Sequence, residues 1–311
     1  MGFLSQYGLF LLKSLTVIIS CLIVFAGFFA LSRKPKPKLE ITSLNEHYEQ
    51  LNSLLYKEIY GEKPAKKKKD KLPSPTLYVI DFNGDIKASQ VDQLRDEITA
   101  VLSIAKQGDE ILLRLDSPGG SVNGYGLAAA QLQRIRTKNI PLTVSIDKVA
   151  ASGGYLMACV ANHILAAPFA IIGSIGVVAQ IPNFYRLLKH NLVDVELLTA
   201  GEYKRTLTLF GENTKVGREK FQEDLEKIHA AFKTYVLTNR DQLDIDKIST
   251  GEHWLATDAF ELNLVDKLIT SDDYLMEKMS AYKAVKVAIQ QKSSLMNKVL
   301  KPAMRLMHPW G

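Results

Sequence analysis

The sequence predicts an α/β fold with largely parallel strands, because stretches with strand-like and helix-like spacing alternate along most of the chain. The mostly apolar runs at 77–82 and 110–115 are predicted as strands, and 89–104 carries helical spacing between them. A glycine-rich loop follows the second run and leads into another helix. A third strand at 142–146 and a third helix at 151–161 continue the pattern. Active sites in such folds gather where strands end and helices begin.

Composition and charge exclude several classes of protein. The 311 residues are 47% apolar and 23% charged, which is typical of a folded domain. The net charge of +6 lies entirely in residues 1–71, which hold 12 Lys and Arg against 6 Asp and Glu, whereas 72–311 hold 27 of each. The neutral body argues against nucleic acid as a partner. Two cysteines in unlike settings and six histidines without ligand spacing predict no disulfide framework, no metal site and no cofactor.

The N-terminal segment has the pattern of a membrane anchor. Residues 1–13 form a short flank, and the 19 residues at 14–32 carry no charge. At about 1.5 Å per residue, such a helix covers roughly 28 Å, close to the hydrocarbon thickness of a bilayer. A cleaved signal peptide is the rival interpretation, but its apolar core is shorter, about 7–15 residues, and ends at a small-residue site. The sequence therefore predicts a single uncleaved transmembrane helix, with the lipid bilayer as a partner.

Residues 33–75 are expected to connect this anchor to the folded body. An apolar seam with steps of three and four residues predicts a helix within the connector. The seam consists of Ile41, Leu44, Tyr48, Leu51 and Leu55. The lysine-rich stretch that follows, with its prolines, has the composition of a solvated linker. The body itself is predicted at 76–283, and 284–311 is expected to form a basic amphipathic tail.

Two strand-to-helix junctions carry residues suited to acyl transfer. The DSPGG loop at 116–120 can present backbone N–H groups to an oxyanion, although an ordinary glycine turn has the same pattern. In the stretch VAASGGY, Ser152 lies at a helix N-terminus among small residues, where a serine can equally act as an N-cap. A nucleophilic serine needs a base. Lys204 is a candidate, because desolvation can lower the pKa of a lysine, but a lone lysine is more often a surface charge.

Other polar residues near these junctions are expected to have structural roles. Ser174 lies between glycine-containing apolar segments and is expected in a tightly packed strand that lines the site. Ser117 and Ser121 are expected as turn and N-cap residues. Arg114 and Asp116 are expected to pair as an ion pair.

Taken together, these stretches resemble the signal peptide peptidase A family of serine–lysine peptidases, and within it the SohB branch. The matching stretches are DFNGDIKAS at 81–89, RLDSPGGSVNGYG at 114–126, DKVAASGGYLMACVANHILAAPFAIIGSIGV at 147–177, TAGEYKRTLTLFGENT at 199–214 and GEHWLATDAFELNLVD at 251–266. They occur in order and cover nearly the whole body, which makes the resemblance far more specific than any single glycine loop.

The resemblance implies a ClpP/crotonase-like fold and a membrane-anchored serine endopeptidase with a Ser–Lys dyad. By motif, Ser152 corresponds to the nucleophile and Lys204 to the general base. Gly120 and the N–H of Gly153 correspond to the oxyanion hole, with the choice between Gly119 and Gly120 left open. The implied substrates are extended peptides or unfolded proteins, including signal peptide remnants, and the implied assembly is a homo-oligomer. A non-catalytic crotonase-like binding protein at the membrane is the alternative, since one fold supports several functions.

The side of the membrane on which the body lies is predicted differently by two arguments. Basic residues at 33–38 directly follow the uncharged stretch, which favours a cytoplasmic body under the positive-inside rule. Relatives in the resembling family work on the periplasmic face of the bacterial inner (plasma) membrane. We expect a periplasmic body, because the rule is statistical.

Overall fold

A computed structural model describes residues 2–32, 38–61 and 74–290, and it confirms the α/β class. The helices are α1 (Gly2–Ser32), α2 (Leu44–Tyr60), α3 (Val91–Leu102), α4 (Val122–Thr137), α5 (Gly153–Ala158), α6 (Tyr185–His190), α7 (Lys215–Asn239), α8 (Ile245–Ile248), α9 (Ala256–Glu261) and α10 (Ser271–Lys278). The strands are β1 (Lys38–Ser43), β2 (Thr76–Asn83), β3 (Glu110–Asp116), β4 (Leu142–Ile146), β5 (Val149–Ala151), β6 (His163–Ala166), β7 (Ile171–Gly173), β8 (His253–Leu255), β9 (Lys267–Leu268) and β10 (Lys283–Gln290).

The chain divides into two compact units, one of residues 1–40 with 289–311 and one of residues 41–288. In the first unit, α1 includes the whole uncharged stretch at 14–32. Within the described ranges, however, no helix is both long enough and apolar enough to cross a membrane. The transmembrane anchor that the sequence predicts is therefore not confirmed.

Two sequence predictions at the ends of the body are affected by what the structure describes. The lysine-rich linker, at 62–73, and the tail from 291 onward lie outside the described residues. Residues 284–290, which we expected in the tail, instead belong to β10. Val285 and Val287 are buried there, and the strand pairs in parallel with β2. Val285, Val287 and Ile289 are β-branched, and such residues favour strands.

The main sheet has the strand order β1-β10-β2-β3-β4-β6-β9. Every pairing from β10 across to β9 is parallel, as expected from the alternation of strands and helices. The central strands β2, β3 and β4 are buried along nearly their whole length. Helices cover both faces of such sheets, which is why these strands are apolar runs with little alternation. Asn83 pairs with Asp116, so β2 and β3 end together at the carboxyl edge of the sheet.

A small second sheet of β5, β7 and β8 is attached at that edge. A parallel bridge between Ser117 and Ala150 joins it to the loop after β3. The Ser117 N–H donates to the Val149 carbonyl at 2.8 Å, and the Ala151 N–H donates to the Ser117 carbonyl at 3.0 Å. The helix expected over 151–161 is shorter in the structure, because Ala151 belongs to β5, Ser152 forms the turn, and α5 ends at Ala158.

The connector helix α2 begins later than the apolar seam predicts, because Ile41 belongs to β1. The Ser43 side chain caps the helix by accepting the Glu46 N–H, and Gly61 ends it with a φ of +72°. Leu44 packs against a small cluster that includes Leu77. Tyr48 is partly buried, whereas Ile41, Leu51 and Leu55 are exposed, and no residue of α2 is fully buried.

Arg114 and Asp116 do not pair with each other as expected. Arg114 instead binds both carboxylate oxygens of Asp81, at 2.6 and 2.9 Å, because Asp81 lies directly opposite on β2. Adjacent strands are about 4.8 Å apart, whereas residues two apart on one strand are separated by nearly 7 Å. Asp116 contacts Lys148 at 3.3 Å.

Candidate active site

Ser152 lies at the sharp turn between β5 and α5. Its φ of +52° and ψ of −118° fall in a region that non-glycine residues rarely occupy. The Ser152 N–H donates to the Gly173 carbonyl at 2.7 Å, and the Ser152 carbonyl accepts from the Leu156 N–H at 3.0 Å. These bonds hold the residue in its unfavourable conformation. The alternative N-cap role does not apply, because the Ser152 side chain makes no capping hydrogen bond.

The loop after β3 lies directly against this turn through Gly119. A Cβ atom at Gly119 would lie 2.6 Å from the Ala151 carbonyl oxygen and 2.8 Å from both the Gly153 nitrogen and the Ser152 Cβ. The φ of Gly119 is +86°, which also favours glycine. The absence of a side chain therefore allows the two strand-to-helix junctions to touch.

Gly120 and Gly153 are also in tightly packed positions. A Cβ atom at Gly120 would overlap the backbone of Ile86, and one at Gly153 would overlap the ring of Tyr125. Any larger residue at either position would push the backbone away from Ser152. The packing explains why both motifs contain paired glycines.

The two glycines of the loop differ in their backbone N–H groups. The Gly119 N–H donates to Ser117 Oγ at 3.2 Å. Among the residues that the structure describes, neither the Gly120 N–H nor the Gly153 N–H has a hydrogen-bond partner. Neither of these N–H groups is therefore taken up by a hydrogen bond within the described residues, and the same holds for Ser152 Oγ.

β7 and β8 support the turn from the other side. The ring of Trp254 packs so closely on Gly173 that a Cβ there would lie 2.7 Å from it. Ser174 follows β7 with a φ of +53°, and its N–H donates to the Glu252 carbonyl at 2.6 Å. Ser174 is therefore not in the tightly packed strand that the sequence predicts, because β7 ends at Gly173 and Ser174 follows it in a partly buried position.

Lys204 lies in an exposed turn. Its N–H donates to the Gly201 carbonyl at 3.2 Å, and Gly201 has a φ of +95°. Within the described part of the chain, the Lys204 side chain has no hydrogen bond or ion pair. The structure brings Ser152, Gly120 and Gly153 together, whereas no hydrogen bond joins the Lys204 side chain to any of them among the described residues.

The segment that carries Lys204 is fixed at its base. The Asn183 side-chain amide donates to the carbonyls of Thr208 and Gly211, at 2.9 and 3.0 Å. The rings of Phe184 and Phe210 stack with centroids 6.1 Å apart. Residues 184–208 therefore form a loop whose two ends meet, with Lys204 near the second end.

Comparisons with known proteins identify the family. A model described as peptidase family S49 matches residues 134–286, and a model of the S49 N-terminal region matches residues 2–132. A probable protease SohB from Buchnera aphidicola subsp. Schlechtendalia chinensis is 50% identical over 305 residues, which cover 89% of this chain and 100% of the relative. The chain belongs to peptidase family S49. Its relatives at this identity place it in the SohB branch, as the sequence motifs indicated, and make it a peptidase.

Two further S49-type proteins are similar to the chain. A probable protease SohB from Haemophilus influenzae is 49% identical over 322 residues, covering 95% of this chain and 91% of the relative. Among solved structures, a mutant of a membrane-bound stomatin-specific protease in complex with a substrate peptide is 16% identical. That match covers 74% of this chain and 100% of the other, with a TM-score of 0.47.

Two residues of this S49 chain were missed by the sequence analysis. Tyr125 was not selected at all, and Ser117 was expected only as a turn residue. The structure buries both hydroxyl groups and joins them at 2.7 Å beneath the Ser152 turn. Tyr125 lies within a quoted motif, but nothing in its spacing indicates that its ring contacts Gly153.

Proposed function

We propose that this peptidase is a serine endopeptidase in which Ser152 is the nucleophile, Lys204 the general base, and the N–H groups of Gly120 and Gly153 the oxyanion hole. The observation that carries the proposal is a pair of unpartnered N–H groups beside a serine held at positive φ. Preorganised donors of this kind stabilise the charge that develops in acyl transfer. A ClpP/crotonase-like arrangement of the sheet is part of the same proposal and rests on the motifs.

The proposed reaction proceeds in two steps. Ser152 Oγ attacks the peptide carbonyl carbon while Lys204 Nζ accepts the hydroxyl proton, and the oxyanion accepts hydrogen bonds from Gly120 and Gly153. The tetrahedral intermediate collapses as Lys204 protonates the leaving amine, which leaves an acyl-enzyme. Lys204 then takes a proton from water as that water attacks the ester carbonyl, and it returns the proton to Ser152 Oγ as the C–O ester bond breaks and the carboxylic acid product leaves.

Lys204 can act in this way only after its surroundings change. Catalytic lysines act where burial or a neighbouring cation favours the neutral amine, whereas this turn is exposed. The loop at 184–208 must therefore be covered, by substrate or by another subunit, and brought to Ser152. The proposed substrates are extended peptides and unfolded proteins, whose chains can enter between the loop and the sheet edge.

The proposal is tested by labelling the purified full chain with a fluorophosphonate probe. We expect one covalent adduct, located at Ser152 by peptide mass mapping, because the proposed donors would stabilise the attack on phosphorus. The Ser152→Ala variant is expected to lose both the adduct and peptide cleavage. Ser174→Ala is a matched control, since Ser174 is also a positive-φ serine beside the site, and it is expected to keep both.

Two results would contradict the proposal. A covalent adduct on Ser174 would show that Ser152 is not the nucleophile. Peptide cleavage by the Ser152→Ala variant would show that the reaction does not need the Ser152 hydroxyl. A chain that gives neither adduct nor cleavage would instead match the non-catalytic binding protein considered above.

Membrane attachment and self-association complete the proposed function. Attachment to a bacterial inner membrane, with a periplasmic body, is supported by the uncharged residues at 14–32 and by the family resemblance. Assembly into a homo-oligomer is supported by large apolar side chains that the 41–288 unit leaves open to solvent. Val178, Leu192 and Leu198 are each 90% exposed or more.

A fusion tests the attachment and the unfused chain tests the assembly. The full chain carrying alkaline phosphatase at its C-terminus is expected to show phosphatase activity in whole cells, because that enzyme is active only after export, and to remain with the membranes until detergent is added. The purified chain without the phosphatase, which is itself a dimer, should give a mass of several subunits by light scattering in detergent. A soluble or inactive fusion would refute the attachment or the periplasmic body, and a monomeric unfused chain would refute the assembly.

A further inference from the structure

Two buried hydroxyl groups lie beneath the Ser152 turn. Ser117 and Tyr125 are both fully buried, with exposed fractions of 0%. Ser117 Oγ and the Tyr125 hydroxyl oxygen are 2.7 Å apart. The Tyr125 hydroxyl also donates to the Asp85 carbonyl at 2.9 Å, and Ser117 Oγ accepts the Gly119 N–H at 3.2 Å. The pair therefore connects the loop after β2 to the loop after β3.

Only one arrangement of protons satisfies these contacts. A tyrosine hydroxyl has a single proton, and the Asp85 carbonyl can only accept. With that proton on the Asp85 side, the Tyr125 oxygen must accept from the Ser117 hydroxyl. Burial raises the pKa of Tyr125, so the hydroxyl keeps the proton that it donates. The Ser117 oxygen is then free to accept from Gly119, which gives one directed chain of hydrogen bonds.

This chain determines which glycine N–H is left for an oxyanion. Because Ser117 occupies the Gly119 N–H, that peptide group is turned inward and the next donor along the chain is Gly120. The ring of Tyr125 lies against Gly153, where a Cβ atom would overlap it. One side chain thus contacts Gly153 directly and Gly119 through Ser117.

The loop after β2 is itself held in place. Asp85 accepts hydrogen bonds from the N–H and the hydroxyl of Ser89, at 2.8 and 2.7 Å. The Ile86 carbonyl accepts the Ser121 N–H at 2.8 Å, and the Ile86 backbone packs against Gly120. The carbonyl to which Tyr125 donates is therefore a fixed point rather than a mobile one.

We propose that Tyr125 and Ser117 are positioning residues that set the distance between the two oxyanion donors, Gly120 and Gly153. The inference rests on the proposed function, because it gives these glycines the role of donors. Neither hydroxyl touches the substrate, and both act through the backbone that they hold.

The test is the Tyr125→Phe variant, which removes the hydroxyl and keeps the ring under Gly153. We expect kcat for peptide cleavage to fall by about 10- to 100-fold, since small misplacement of a donor has effects of this size, while KM stays within about twofold. The inhibition constant of a peptide aldehyde, whose adduct carries the oxyanion, should rise by the same factor as kcat falls. Peptide affinity is compared between the Ser152→Ala protein and the Ser152→Ala, Tyr125→Phe double variant, neither of which cleaves the peptide. We expect the two dissociation constants to be equal.

Tyr155→Phe is the matched control. Tyr155 is equally buried, and its hydroxyl also donates to a backbone carbonyl, that of Leu264 at 3.1 Å. Removing the Tyr155 hydroxyl is expected to lower the free energy of unfolding about as much as Tyr125→Phe does, but to leave kcat unchanged. Ser117→Ala should reproduce the effect of Tyr125→Phe, and the double variant should be no worse than the single ones, because both belong to one chain of bonds.

The outcomes separate this inference from the proposed function. Normal labelling of Ser152 with unchanged kcat in both Tyr125→Phe and Ser117→Ala would overturn the positioning role alone. The positioning role would also be overturned if Tyr125→Phe weakened the binding of the uncleaved peptide by the same factor as it weakened inhibition by the aldehyde. A wild-type chain without any Ser152 adduct would overturn the proposed function, and the positioning role with it.

Discussion

Replacing Lys204 with alanine is expected to lower kcat for peptide cleavage by about 10⁴-fold or more, while the free energy of unfolding stays unchanged. The size follows from the loss of a general base, which leaves only binding and the oxyanion donors. Stability should be unaffected because the Lys204 side chain is exposed and has no partner among the described residues. Steady-state cleavage of a fluorogenic peptide and urea unfolding measure the two quantities.

Lys204→Arg distinguishes a base from a mere positive charge. Arginine keeps the charge and much of the length, but its guanidinium cannot give up a proton under working conditions. We therefore expect Lys204→Arg to be as inactive as the alanine variant. Arg205→Ala is the control, because Arg205 lies in the same turn with similar exposure. It should keep most of the activity, and an active Lys204→Arg protein would show that Lys204 is not the base.

The two halves of the proposed dyad differ in how far one subunit prepares them. Ser152 is fixed by hydrogen bonds to β7 and α5, and the close packing of Gly119 places the loop of the proposed oxyanion donor Gly120 against it. Lys204 lies in an exposed turn of a loop that is anchored only at its base. If Lys204 reaches Ser152 only when substrate covers the loop at 184–208, cleavage is limited to peptide chains that bind against this loop.

Much of the sheet could be predicted from local pattern. β2, β3 and β4 are runs buried on both faces, and such runs carry their own signal in hydrophobicity. The short elements at the site were harder. Residues 149–158 divide into a three-residue strand and a six-residue helix, and apolar periodicity cannot separate pieces of that length.

The contacts around Ser152 could be predicted only in part. Paired glycines indicate a close approach of backbones, and the structure shows that approach at Gly119. The sequence cannot show which backbone approaches, nor that Tyr125 lies beneath Gly153. These contacts join segments that are distant along the chain, and tertiary packing decides them. The ion pair expected between Arg114 and Asp116 was wrong for the same reason, since Asp81 comes from another strand.

Asp266→Asn is expected to reduce the free energy of unfolding by about 3 kcal/mol, because it leaves the buried charge of Arg240 without a carboxylate. The Arg240 side chain is only 4% exposed and binds both oxygens of Asp266, at 2.7 and 2.8 Å. Asp266 also accepts the Ile164 N–H at 2.7 Å, so it ties the end of α7 to β6. The Asp266 carboxylate is 30% exposed, which places the expected loss at the low end of the range for buried pairs.

The difference in the free energy of unfolding between the wild type and Asp266→Asn should decrease as the pH is lowered. Burial acts to raise the pKa of Asp266, but hydrogen bonds from Arg240 and from the Ile164 N–H outweigh it and leave the pKa below its usual value. A lowered pKa stabilises the fold fully above the unfolded value of about 3.9, and the effect is lost as the pH falls through the folded value. Urea unfolding at pH 7 and at decreasing pH should therefore show the gap narrowing below about pH 4.

Glu277→Gln is the matched control for Asp266→Asn, since it makes the same chemical change in an exposed ion pair. Glu277 contacts Lys267 at 3.2 Å, with both side chains more than half exposed, so its loss should cost less than about 1 kcal/mol. Equal destabilisation by the two variants would show that burial of Arg240 does not govern the energy. A difference in unfolding free energy that stayed constant down to pH 2 would contradict the lowered pKa of Asp266, because a lowered pKa makes this difference shrink once the pH falls below the unfolded value of about 3.9.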